Sequence, residues 1–71
     1  MKLQEAIEVA VSKNDGHHAR LATETLQFKR GYNYKQVFET FKKIATQLGI
    51  SYDRHDHEEL MVLADEDSSN G

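Results

Sequence analysis

Apolar positions in this 71-residue chain recur in two helical stripes. The stronger one runs from Asn33 to Leu48. Val37, Phe38, Phe41, Ile44, Ala45 and Leu48 follow the three-and-four spacing that makes one face of a helix. Asn33 can accept from the first-turn amides, and Gln36, three residues on, completes a capping-box pattern. Gly49 follows the last apolar position, where a left-handed residue closes a helix, and Ile50 is set for the contact that accompanies such a cap. Lys35, Glu39 and Lys43 run along the far side at four-residue spacing, suited to weak ion pairs. The second stripe, Leu3, Ala6, Ile7, Ala10 and Val11, predicts a helix over residues 2–13, with Glu5 and Glu8 near its start and Lys13 near its end to match the dipole. Asn14-Asp15-Gly16 then reads as a turn.

Residues 17–30 carry two patterns. Ala19, Arg20, Leu21, Ala22, Glu24, Leu26 and Gln27 are good helix formers, and Lys29-Arg30-Gly31 resembles a helix end. Leu21, Thr25 and Phe28 would then share a face. Thr23 and Thr25 favour a strand, in which Ala22, Leu26 and Phe28 would alternate with polar residues. Helix is the preferred reading. Further on, Ile50–Arg54 and Glu59–Ala64 read as a closing hairpin around the polar residues His55 to Glu58, with Leu60 to Leu63 as an apolar run buried on both faces. The expectation is an α+β fold: two or three helices followed by a C-terminal β-hairpin, with residues 20–28 available as a third strand. One domain would span 1–64, and 65–71 would form a mobile acidic tail. A two-stranded hairpin is marginal alone, so it would pack on the helices, gain that third strand or pair with a second copy.

Composition narrows the ways such a small chain can be reinforced. With no Cys, disulfides are excluded, leaving a metal, a dimer or a marginal monomer. Lack of Cys fits a reducing cytoplasm. Lys2, Glu5 and Glu8 make the first residues neither a signal peptide nor a membrane span.

Charge is distributed unevenly. Residues 1–52 hold eight Lys or Arg against five Asp or Glu, net +3, whereas residues 53–71 hold Arg54 against seven acids, net −6, which together make the formal −3. The basic set, Lys29, Arg30, Lys35, Lys42 and Lys43 with Tyr32 and Tyr34 interleaved, could meet phosphates and stack on bases. The acidic set is Asp53, Asp56, Glu58, Glu59, Asp65, Glu66 and Asp67. Closely spaced carboxylates on a small rigid body imitate a phosphate backbone and attract basic DNA-binding proteins through the same long-range field.

No arrangement carries catalysis. Ser12, Ser51, Ser68 and Ser69 lack an activating motif, and there is no glycine-rich phosphate loop. His17, His18, His55 and His57 invite a metal reading. In an extended segment Asp53, His55, His57 and Glu59 would project from one face and His17 could complete the shell. Solvated loop histidines are the preferred reading, so no metal, cofactor or catalytic residue is assigned.

In its length, its single Cys-free and Pro-free domain and its acidic Asp53-to-Asp67 segment, the chain resembles the small early host-takeover proteins of lytic phages, in particular a DNA-mimicking inhibitor of the histone-like nucleoid protein HU from a Bacillus phage. The resemblance implies a non-enzymatic inhibitor in the host bacterial cytoplasm. It would be a homodimer that occupies the DNA-binding surface of a basic HU-like partner, with no direct contact to nucleic acid or membrane. The seven acidic residues would form the partner-binding set, with Lys42 and Lys43 facing away. The alternative is a nucleic-acid-binding module using the basic face of the central helix.

Overall fold

A computed structural model describes residues 2–70, together with the side chains of residues 2–68. Four helices follow one another: α1 (Leu3–Lys13), α2 (Gly16–Glu24), α3 (Tyr34–Gln47) and α4 (Arg54–Asn70). A π-helical segment, Thr25–Lys29, continues α2. No strand occurs among the described residues, so the expected C-terminal hairpin and the third strand over 20–28 are both overturned. The expected acidic tail is also helical as far as Asn70, and Gly71 lies outside the described residues. No helix among the described residues is long and apolar enough to cross a membrane.

α3 forms as its pattern requires. The Asn33 side chain accepts from Gln36 N, and the Gln36 side chain accepts from Asn33 N, both at 2.9 Å. At the far end Gly49 adopts φ 74°, letting Ile50 N reach Ala45 O at 2.9 Å and Gly49 N reach Thr46 O at 3.0 Å. This is a Schellman closure, satisfying carbonyls that the helix would leave bare. α1 follows its stripe too: Ala6, Ile7 and Ala10 are buried, and Leu3 and Val11 pack at the margin.

α4 explains why the hairpin fails. Asp53 Oδ1 accepts from Asp56 N at 2.9 Å, and Asp56 Oδ2 accepts from Asp53 N at 3.0 Å, a capping box built from two aspartates. This nucleates a helix where a turn was expected. The Asp56 amide holds the Asp53 carboxyl below its usual range. Leu60 and Ala64 are buried, Met61 packs at the margin, and Val62 is 57% exposed, so the apolar run is divided between a helix face and solvent.

α2 packs against both α1 and α4, and its more extensive contact is with α4. Its inner face is small: Gly16, Ala19 and Ala22, with Leu26 beyond them. Gly16 does not serve the turn, since Asn14 takes the left-handed conformation there with φ 53°. A Cβ on Gly16 would lie 2.5 Å from the carbonyl oxygen of Leu63, so glycine is what allows the two backbones to approach. Beyond α2 the Thr25 hydroxyl donates to Leu21 O at 2.9 Å, and a threonine bonding back one turn is a known cause of helix bending at such a point. Leu26 O accepts from Tyr32 N at 3.0 Å across Gly31, which stands at φ 69°.

A charged clamp closes the α2–α4 contact. Arg20 Nε donates to Asp67 Oδ2 at 2.7 Å, and His17 Nδ1 lies 3.1 Å from the same oxygen. Arg20 first, then His17, hold the Asp67 carboxyl below its usual range. Asp67 therefore ties α4 to α2 rather than lying in a free tail.

Candidate functional site

Three surfaces and one buried group carry the candidate chemistry. The buried group is His57. On α4 it takes the core position three residues before Leu60, and it is fully buried rather than solvated as expected. Tyr52, in the connection between α3 and α4, shares a 2.6 Å hydrogen bond with its Nδ1. Tyr34, Phe38 and Phe41 of α3 enclose the imidazole, with ring centroids 5.2, 5.2 and 5.3 Å away. Nε2 is buried with no hydrogen-bond partner among the described residues. Either tautomer leaves that nitrogen unpaired, at a cost of about 1–3 kcal/mol.

Burial outweighs the adjacent Glu58 carboxylate and pushes the His57 pKa down to about 4. Burial also raises that of Tyr52. The unfolded chain therefore takes up the His57 proton at higher pH than the folded protein does. The stability that the neutral imidazole contributes is complete above about pH 6.5 and is lost as pH falls through about 4, an expected loss of about 3 kcal/mol. Tyr52 acts in the opposite direction, its contribution being lost as pH rises above its unfolded value of about 10. Urea midpoints should form a plateau between roughly pH 7 and 10 and fall on the acid side. His57→Gln, which cannot titrate, should remove the decline between pH 6.5 and 4.5. An unaltered decline in that variant would place its source elsewhere.

Helix formation separates the residues proposed from an extended strand as metal ligands. His57 points into the core while His55 and Glu59 stay exposed, 3.6 Å apart. His17 pairs with Asp67 at the other end of α4, and His18 lies 2.5 Å from the Asp15 carboxylate that caps α2 through His17 N. Asp53, His55 and Asp56 do come together at the start of α4. There, however, Asp53 already accepts the Asp56 amide and Asp56 the Asp53 amide, and the positive end of the helix dipole disfavours a cation.

The seven acidic candidates divide into two groups. Asp53 and Asp56 cap α4, and Asp67 is held by Arg20 and His17. Glu58, Glu59, Asp65 and Glu66 are exposed and, at spacings of one, seven and eight residues, share the outer side of α4 around exposed Val62. Seven residues of helix separate the two acidic pairs by about 10 Å. Glu58 approaches Arg54 at 3.5 Å and Glu59 approaches His55, weak exposed contacts that leave the side chains open.

The basic candidates Lys35, Lys42 and Lys43 lie exposed on α3, with Lys29 and Arg30 exposed at the end of the π-helical segment. Tyr34, Lys35, Phe38, Glu39 and Lys42 line a groove of about 420 Å³, which Arg54 joins from α4. The Lys42 ammonium stands 5.9 Å over the Phe38 ring. Arg54 is not in the basic set read from the sequence; the Asp53-x-x-Asp56 cap is the signal that places it at a helix start.

The remaining surface is apolar. The expected face Leu21, Thr25, Phe28 looks outward: Phe28 is 82% and Leu21 38% exposed, beside a groove of about 480 Å³ whose walls include Leu3, Ala6, Ala22 and Thr25. Comparison with protein-family models, with characterised protein sequences and with solved structures finds no match to this chain. The fold and these surfaces define a small all-helical domain that presents an acidic helix, a basic aromatic groove and an apolar groove.

Proposed function

We propose that this protein is a non-enzymatic inhibitor that uses the outer face of α4 to occupy the DNA-binding surface of a basic, HU-like protein in a bacterial cytoplasm. The observation that carries this reading is the alignment of Glu58, Glu59, Asp65 and Glu66 around Val62 on a helix that is capped at one end and clamped to α2 at the other. Charges held on a helix lose less freedom on binding than charges on a tail, so the helical form strengthens mimicry where the expected tail would weaken it. Val62 supplies an apolar centre within the charged rim, the usual layout of a protein interface. Lys35, Lys42 and Lys43 belong to α3, a different helix, and need not meet the partner.

Replacing Glu58, Glu59 and Glu66 with Gln and Asp65 with Asn should weaken binding to purified HU by roughly tenfold or more while leaving the thermal midpoint near wild type. Wild-type affinity should fall as salt rises, since exposed charges are screened beyond about 8 Å at physiological ionic strength. The slope should be shallower than for duplex DNA, which also releases condensed counterions. Undiminished HU binding by the neutralised variant would refute the assignment.

A second reading rests on the groove of Tyr34, Lys35, Phe38, Lys42 and Arg54, where cations and aromatic rings meet as in modules that bind single-stranded nucleic acid. In that case Lys42→Ala with Arg54→Ala would abolish binding to an oligonucleotide and the α4 substitutions would not.

A further inference from the structure

We propose that His57 is an acid-released latch: protonation of its ring frees Tyr52 and the first two turns of α4 from α3, while the rest of α4 stays docked on α2. Those first turns are held by little. Among Arg54 to Glu59, His57 is the only buried side chain; the next are Leu60 and Ala64, with Met61 at the margin. α4 accordingly meets α2 far more extensively than it meets α3. The His57 ring stands against Tyr34, Phe38 and Phe41 of α3 and bonds Tyr52, so the α3–α4 contact runs through one imidazole. A helix end that loses its packing frays, because packing supplies most of a helix's stability.

Acid acts on this contact selectively. A second ring proton would place a cation inside the aromatic enclosure, with one nitrogen bonded to a phenol and the other unpaired. The ionisable groups around the ring do not rescue it. Tyr34 and Tyr52 are phenols, uncharged in acid, and Glu58, next along α4, is exposed. On the outer side of Tyr34 and Phe38, Lys35, Lys42 and Arg54 outnumber Glu39. From α2, Arg20 and His17 meet Asp67, ten residues further along α4. α1 faces the core with Ala6, Ile7 and Ala10. Elsewhere on α4 the Asp56 amide holds the Asp53 carboxyl, and Arg20 that of Asp67, below the usual range, so neither the cap nor the α2 clamp is lost at pH 5. Glu58 and Glu59 lie on the released part, Asp65 and Glu66 on the retained part, so acid divides the four carboxylates. That consequence for binding rests on the reading of α4 given above, whereas the opening itself is measured on the protein alone.

Native-state amide exchange of the full chain at pH 7 and pH 5, with and without low urea, tests the latch. With the ring pKa at about 4 when closed and at its ordinary 6.5 when open, the open fraction rises about twentyfold between those pH values. Protection of the amides of residues 57–60, corrected for intrinsic exchange, should fall by that factor and depend only weakly on urea, as a small opening does. Amides of residues 64–68 should exchange only through a larger opening that is steep in urea. His57→Gln should leave residues 57–60 insensitive to pH over this range. The wild type decides the matter even without that variant: unchanged protection at residues 57–60, or one common steep urea dependence along all of α4, would overturn the proposal. So would a pH response at residues 57–60 that survives in His57→Gln.

Discussion

Phe41→Asp is expected to abolish the cooperative thermal transition. Phe41 is fully buried mid-way along α3, stacked against Tyr52 at a centroid distance of 6.4 Å and edge-on to His57 at 5.3 Å. Truncating a core aromatic costs about 3–5 kcal/mol, and an unpaired buried carboxylate adds to that. A domain of this length holds roughly 4–11 kcal/mol in all. The aromatic neighbours Tyr52 and His57 bring no fixed cation to that charge: Tyr52 offers a hydroxyl already bonded to His57 Nδ1, and the neutral imidazole offers at most one hydrogen bond from its unpaired Nε2. Phe28→Asp makes the same chemical change at an exposed ring, and that variant should melt near the wild-type midpoint. Circular dichroism melts of the two variants side by side check the burial assignment. A cooperative transition near the wild-type midpoint in Phe41→Asp would show that this face of α3 does not form the core.

Gly16→Ala should also destabilise strongly, although helix propensity argues the other way. Alanine is favoured over glycine by about 1 kcal/mol in a helix interior, and less in a first turn. Against that gain, the new Cβ would lie 2.5 Å from Leu63 O and 2.6 Å from Leu63 C. Those are backbone atoms, so no rotamer change relieves the clash, and α2 and α4 must move apart. Overpacking of this kind typically costs about 1–3 kcal/mol, sometimes more. Separation also draws Arg20 and His17 away from Asp67. A net loss of about 2–3 kcal/mol is expected, with Gly16→Val worse, measured as a fall in the urea midpoint at constant m-value. Stabilisation by Gly16→Ala would mean that the two helices lie further apart than described.

These two positions mark what could and could not be read along the chain. α1 and α3 were legible because their buried residues are also their apolar ones, and α3 in addition carries recognised caps, Asn33 with Gln36 and Gly49 with Ile50. α2 was legible as a helix but not in its orientation. Leu21, Thr25 and Phe28 were expected to share a face, but the buried side of α2 is the small one, Ala19 and Ala22, with Gly16 against the α4 backbone, and Leu21 and Phe28 are exposed. α4 was hidden for two reasons. A histidine fills one of its core positions, which breaks the apolar periodicity, and the consecutive Leu60 to Leu63 mimic a strand. The cap that would have settled the matter, Asp53 with Asp56, uses aspartate where glutamate or glutamine is the usual partner.

The acidic set was legible as composition but not as a surface. Only a helix brings Glu58, Glu59, Asp65 and Glu66 to one side, and only the fold shows that Asp53, Asp56 and Asp67 are already bonded within the chain. The cluster of His17, His55 and His57 dissolves for the same reason, since each faces a different environment.

Displacement of a labelled DNA duplex from purified HU, followed by fluorescence anisotropy, tests the functional account most directly. Added protein should lower the anisotropy to that of free duplex. The variant neutralised at Glu58, Glu59, Asp65 and Glu66 should fail to do so, and the protein should not change the anisotropy of duplex alone. Binding of the duplex by the protein itself, or undisturbed HU–duplex complex at saturating protein, would contradict it.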